Sequence, residues 1–264
     1  MKRSDDMFRV KKILNVLIGL SILVAIWEVV VLTGRYESSL LPAPLKVLEG
    51  MGGLLKDGTL FTHFKVSLLR FAVGYFTAVI IAIPLGLILG WFSKVWNIID
   101  PIVQVIRPVS PIAWFPFIVL WFGIGDIPAI VIIFIAAFFP VLLSTVSAVR
   151  KVDPTYLKVA QNFGIKQPHL LTKIIFPASF PFIANGLHMA LGSAWVFLVA
   201  GEMMGAQSGL GFLIIDARNS LRSDLVLAGI IFIGITGLLL DKAIKLFEKW
   251  IERQWGILPN ERLG

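Results

Sequence analysis

Six apolar blocks, residues 13–32, 66–91, 101–122, 129–149, 180–206 and 225–240, are separated by charged joints, and they limit this chain more than any other feature. A bilayer core about 30 Å thick is crossed by about 20 apolar residues in a helix, so blocks of this length read as transmembrane spans. The same pattern excludes a soluble domain. Charged residues make up 15% of the chain, against roughly 25% in globular proteins. A transmembrane β-barrel needs segments of about ten residues that alternate in polarity, and no block alternates over that length. Cysteine is absent, which removes disulfides, thiolate metal sites and cysteine nucleophiles.

Taken in order, residues 1–12 are a short basic tail. The block 13–32 is long for the apolar part of a signal peptide, and Thr33-Gly34-Arg35-Tyr36 offers no small-residue cleavage site, so it reads as the first span. Glu28 lies near its outer end, within reach of water. Pro42 and Pro44 break the chain. Residues 45–65 then place Val47, Leu48, Met51, Leu54 and Leu55 at helical spacing, too polar to span and expected along the outer surface. The second span, 66–91, carries Arg70 near its outer end, and its Gly86-xxx-Gly90 spacing permits close helix contact. Residues 92–100 read as a joint.

The block 101–122 holds Arg107, Pro108, Pro111 and Pro116 and cannot be a plain helix. Irregular backbone at that depth has to face protein or a water-filled cavity. Spans follow at 129–149, at 180–206 with Asn185, His188 and Glu202, and at 225–240, the last continued by a basic amphipathic end, 241–255. A polar loop is expected over 207–224. Six spans put both termini on one side of the membrane. That side carries sixteen of the lysines and arginines against six on the other, which makes it cytoplasmic and accounts for the net charge of +8 without nucleic acid.

Between the fourth and fifth spans lies a polar island, Lys158 to Pro177. Asp153-Pro154 is a helix start, with Asp as N-cap and Pro in the first turn. A helix from Pro154 to Phe163 is expected to end at Gly164, the residue type suited to a left-handed cap. A second, over Pro168 to Ile175, is expected to close at Pro177. The result is a knob with Tyr156, Leu157, Ala160 and Phe163 in one apolar stripe.

The island resembles the cytoplasmic coupling loop of the permease subunits of binding-protein-dependent ABC importers. That pattern is Glu-Ala-Ala, three residues, Gly, nine residues, Ile, any residue, Leu-Pro. Here Lys158-Val159-Ala160 fills the triplet, Gly164 and Ile174 follow at the family's spacing, and Phe176-Pro177 ends it. Lys158 stands in place of the acid and Phe176 in place of leucine, so no salt bridge of that acid is carried over. Ser67-Leu68-Leu69-Arg70-Phe71, Arg107-Pro108-Val109-Ser110-Pro111, Leu120-Trp121-Phe122-Gly123 and Ala200-Gly201-Glu202 extend the similarity to the permeases for nitrate, sulfonates, taurine and bicarbonate.

The resemblance implies an all-α, six-span polytopic bundle of the type I ABC importer permease fold, with a coupling helix between spans four and five. It divides the chain into residues 1–60 (tail, first span, outer segment), 61–250 (core transmembrane domain, coupling loop 150–177) and 251–264 (cytoplasmic tail). It implies a homodimer in a cell membrane, two cytoplasmic ATPase subunits and an extracytoplasmic solute-binding protein. Lys158, Val159, Ala160, Gly164, Ile174 and Pro177 would meet the ATPase, with small Ala160 and Gly164 letting the helix sit deep in it. The cargo would be a small anion, the alternative being a thiamine-precursor or riboflavin-like solute.

No phosphate-binding glycine loop occurs in the sequence, so ATP and Mg belong to the partner and this chain is expected to be no enzyme and to bind no cofactor. Arg107, Ser110, Trp114, Trp121 and Glu202 are candidate pathway residues. Arg107 has a rival role pairing with Asp100 or Glu202, Glu202 one as a structural partner of an arginine, and the tryptophans one as interface anchors. No metal site is expected, since His63 and His169 fall on opposite sides of the membrane from each other and His188 has too few companions. An ion-coupled secondary transporter would show inverted repeats and paired intramembrane acids, and neither is present.

Overall fold

A helix satisfies its own backbone inside hydrocarbon, and helix is the secondary structure that the computed structural model of this chain contains. It describes residues 2–35, 37 and 39–254, with no strand among them; the side chains of 2–10, 12, 13 and 252 are not described. The tail expected over 251–264 therefore lies outside the described residues from 255 onward. Among the described residues ten α-helices run α1 Lys2–Leu32, α2 Pro44–Lys56, α3 Thr59–Trp91, α4 Ser93–Ile106, α5 Phe115–Phe122, α6 Asp126–Arg150, α7 Pro154–Asn162, α8 Phe176–Gly205, α9 Leu210–Asn219 and α10 Ser223–Gln254. A 3-10 turn, Pro111–Trp114, precedes α5, and a π-helical turn, Leu171–Ile175, precedes α8.

Five of these segments are long and apolar enough to cross a bilayer: Leu14–Leu32, Thr59–Trp91, Asp126–Arg150, Leu171–Gly205 and Ser223–Ile251. A sixth crossing is made by α4 with Pro111–Phe122 if that bent pair counts as one. The six apolar blocks of the sequence correspond to them.

The chain forms two compact units, residues 1–61 with 213–232, and 62–212 with 233–264. In the first, the Trp27 Nε1–H donates to the Pro42 carbonyl at 3.1 Å, and α2 buries Val47, Gly50 and Leu54, one face at helical spacing. A Cβ on Gly50 would stand 3.1 Å from the Leu225 side chain. The Asp57 carboxylate accepts from the Thr59 amide at 2.9 Å and starts α3.

The second unit is built on α6 and α8, which pack together and bury Ile132, Ile133, Ala137 and Val141 on one helix and Ile183, Leu187, Ala190 and Leu198 on the other. α3 packs on α6 through a row of small residues four apart, Gly74, Ala78, Ala82, Gly86 and Gly90. Ala78 and Ala82 are fully buried. A Cβ on Gly74, Gly86 or Gly90 would come within 2.6–2.8 Å of Ile133, Thr145 or Val149. The Gly86/Gly90 pair read from the sequence is thus part of a five-residue seam, the close-approach geometry small residues allow. Tyr75 Oη–H donates to the Leu187 carbonyl at 2.9 Å and Trp195 Nε1–H to that of Ile233 at 3.2 Å, so these rings bury their bodies and satisfy their polar ends.

Several boundaries differ from the expectations. The second span begins at Thr59, not Val66, because the Asp57 cap starts the helix early. Residues 93–100 are not a joint but the first half of α4. Residues 207–224 contain α9, whose Leu210, Leu213, Ile214 and Ala217 are buried at helical spacing. Pro177 does not close a helix. The Phe176 amide donates five residues back to Leu171, and this π-turn carries the chain on through Pro177 into α8.

Candidate functional site

Three features of the second unit bear on function. The first is the knob that follows α6. The Asp153 carboxylate accepts from the Thr155 amide at 2.8 Å, and that hydrogen bond holds its pKa below the ordinary carboxylate range. At the other end of α7 the Ile165 amide donates to Ala160 and the Gly164 amide to Gln161, both at 3.0 Å, with Gly164 at φ +67°. This is a Schellman cap, and it needs the left-handed backbone that glycine supplies.

The sides of α7 differ from the expectation. Ala160 is 1% exposed, so its smallness serves packing against this chain's own body rather than entry into a partner. Tyr156, Val159 and Phe163 are 55%, 48% and 78% exposed and form the outward crest. Lys158 is exposed beside them, Ile174 is half-buried, and nothing lies within 4 Å of where a Gly164 Cβ would stand.

The second feature is the broken span. α4 and the segment Pro111–Phe122 meet at 83°. Phe115 and Ile118 turn inward onto Ile132, while Arg107, Ser110, Trp114 and Trp121 are exposed. Arg107 has no ion pair among the described residues. Its proposed partners are engaged elsewhere: Asp100 accepts from Gln104 at 3.2 Å, and Glu202 belongs to a different cluster. The pairing of Arg107 with either acid is overturned.

That cluster is the third feature, at the end of the unit opposite α7. The Glu202 side chain is fully buried. Its carboxylate accepts from Ser67 Oγ at 2.8 and 2.9 Å, Arg70 Nη1 at 2.8 Å and the Gly211 amide at 2.9 Å. Arg70, 3% exposed, also donates through Nε to Asp126 at 2.9 Å, through Nη2 to the same oxygen, and to the carbonyl and hydroxyl of Ser208 at 2.6 and 2.9 Å. Ser67 Oγ accepts from the Leu210 amide at 2.8 Å, and His63 Nδ1 from the Gly209 amide at 3.0 Å.

Gly209 has φ +106°, and any Cβ there would collide with the Glu202 carboxylate. Every donor of Arg70 and both oxygens of Glu202 are thus used within the chain. The arrangement ties α3, through Ser67 and Arg70, to the ends of α6 and α8, and it leaves the Arg70 guanidinium and Glu202 carboxylate no free position for a solute. Sequence reasoning named Glu202 but missed Ser67, Arg70 and Asp126. The signal was positional: Arg70 and Asp126 both lie near the N-terminal ends of spans that start on the same side.

His188 Nε2 lies 3.0 Å from Glu248 Oε2 on α10, and Asn185, one turn before His188, faces a cleft beside α6. Among the described residues no group of three or more histidine or acidic side chains is arranged to hold a metal ion.

Comparison with known proteins adds to this geometry. Residues 82–253 match the family described as binding-protein-dependent transport system inner membrane component. The taurine transport system permease protein TauC of Escherichia coli is 36% identical over 236 residues, 87% of this chain and 86% of its own. The nitrate import permease protein NrtB of Synechocystis is 32% identical over 249 residues, 91% of this chain and 90% of its own. Among solved structures, an inward-facing conformation of the MetNI methionine ABC transporter superposes with a TM-score of 0.61 at 17% identity, covering 70% of this chain and 93% of that one; the two share a fold. The chain, a multi-pass helical membrane protein, belongs to the family of binding-protein-dependent transport system inner membrane components.

Proposed function

We propose that this chain is the permease subunit of an ABC importer for a small anionic solute of the sulfonate or nitrate class, the kinds of cargo named in its relatives. It works as a pair of identical chains in a cell membrane with both termini cytoplasmic. ATP and Mg are bound by two partner ATPase subunits, and a solute-binding protein delivers cargo from the other side.

The observation that carries the coupling assignment is the knob. α7 is capped at both ends, seated by Ala160, and presents Tyr156, Val159 and Phe163 to solvent beside two spans. An apolar crest on a rigid capped helix is the kind of surface that docks in a partner's groove. Lys158, Val159 and Gly164 belong to this contact directly or through the cap, while Ala160, Ile174 and Pro177 support it from within. The exposed bend with Arg107, Ser110, Trp114 and Trp121 supports a path along this face, since broken backbone and an arginine at membrane depth require water or protein against them.

The test uses the chain purified with its ATPase and binding-protein partners, reconstituted in proteoliposomes. Phe163→Asp and Tyr156→Asp should abolish ATP hydrolysis stimulated by loaded binding protein while the permease stays monodisperse. Unchanged stimulation would overturn the docking role of α7.

A further inference from the structure

Between α6 and α8, at the end next to α7, lies a cleft of about 290 Å3 lined by Leu143, Ser144, Ser147, Lys151, Phe182 and Asn185 among others. Beside it Gly186 lies against the Ser144 side chain, with no room for a Cβ between them. Ser144, Ser147 and Lys151 are three and four residues apart and so share one side of α6 and its cap. Four other hydroxyls in the unit are bonded to helix carbonyls: Thr77 to Val73, Thr145 to Val141, Ser179 to Phe176 and Ser193 to Ala136. The side chains of Ser144, Ser147, Asn185 and Lys151 have no hydrogen-bond or ion-pair partner among the described residues.

Ser144 lies six residues from the Arg150 end of a 25-residue span, about 9 Å inside it. Unpartnered hydroxyl and amide groups facing hydrocarbon there are costly, and facing water they are not.

We propose that Ser144, Ser147 and Asn185, with Lys151 at the mouth, form a subsite for a small oxyanion on the water-filled path. The hydroxyl and amide hydrogens donate to the anion's oxygens, and the ammonium supplies opposite charge as a point rather than a two-pronged grip. One cation with neutral donors holds an anion weakly enough to release it, as passage requires. This assignment rests on the permease reading and gives that reading's path a set of residues.

The absence of cysteine from this chain lets a single introduced thiol be read on the permease band in a test on the complete transporter. In inside-out vesicles, S147C and N185C should react with the anionic reagent 2-sulfonatoethyl methanethiosulfonate at least about tenfold faster than I80C or L238C, which sit on exposed apolar helix faces. Adding K151Q to S147C should slow the anionic reagent by about threefold, the effect of a unit charge roughly 7 Å away in water, without slowing a trimethylammonium reagent. Labelling at both positions no faster than at Ile80 would overturn the wet path at this face. Labelling indifferent to Lys151 and to reagent charge would overturn the anion subsite. Uptake of radiolabelled taurine and nitrate by the parent complex reads the cargo assignment separately: no uptake of either, with the labelling pattern intact, removes the sulfonate or nitrate cargo and leaves the subsite on the permease.

Discussion

Replacing Arg70 by alanine tests whether the clasp of α3, α6 and α8 is what holds their ends together. The Arg70 and Glu202 side chains are 3% and 0% exposed, so the mutation leaves a buried carboxylate with Ser67 and the Gly211 amide as its remaining donors. Breaking a buried, hydrogen-bonded ion pair by removing one partner costs about 3–5 kcal/mol. For a chain of this size about 1 kcal/mol moves the melting temperature by roughly 2–4 °C, so Arg70→Ala should melt roughly 6–20 °C below the parent. The assay is the loss of the monodisperse chromatographic peak on heating in a mild detergent.

Removing both charges, Arg70→Leu with Glu202→Leu, leaves nothing ionic buried and should recover more than half of the loss. Arg70→Lys should fall between, because one ammonium cannot reach Asp126, Glu202 and Ser208 together. An Arg70→Ala melting point within about 2 °C of the parent, or a double variant no better than the sum of the two singles, would refute the reasoning.

Gly86→Ala puts a methyl 2.6 Å from Thr145 Cβ in the α3–α6 seam and should destabilise by about 1–3 kcal/mol. Gly192→Ala, with nothing within 4 Å, should be neutral within about 0.5 kcal/mol; the same thermal assay compares them. Gly164→Ala meets no atom but takes on φ +67°, so its effect of about 1 kcal/mol is conformational and should appear as faster hydrogen exchange confined to residues 154–165. The Asp153 pKa is depressed by the Thr155 amide, so its cap is complete above the unfolded value near 3.8 and fades as pH falls through the lower folded value. The protection factor of the Thr155 amide, its exchange rate set against the intrinsic rate at each pH, should fall over that acidic range in the parent but not in Asp153→Asn, whose amide oxygen accepts at any pH.

The spans and the knob were legible because the signals that make them are local. Apolar blocks of bilayer length, Asp-Pro at a helix start and Gly164 at its end each act within a few residues. α9 was legible in principle, since Leu210, Leu213, Ile214 and Ala217 repeat at helical spacing, but its polar neighbours masked it. The continuation through Pro177 was hidden because a π-turn depends on hydrogen-bond register rather than composition. The clasp was hidden for another reason. Arg70 and Glu202 are 132 residues apart, and two intramembrane arginines with three acids, Asp100, Asp126 and Glu202, allow several pairings that only packing decides. The inward turn of Ala160 depended likewise on which side of α7 meets its own chain.

The π-turn has one more consequence. By merging Leu171–Ile175 with α8 it makes a continuous 35-residue rod, about 52 Å from end to end. Its first turn adjoins the segment that leaves α7, and Glu202 stands near its last. A helix of that length tilted as one body by about 5° about its middle displaces each end by roughly 2 Å, more than a 2.8 Å hydrogen bond tolerates. Small rotations at one face of the bilayer therefore become whole bond lengths at the other, and the Glu202 clasp is an indicator of how α8 is inclined.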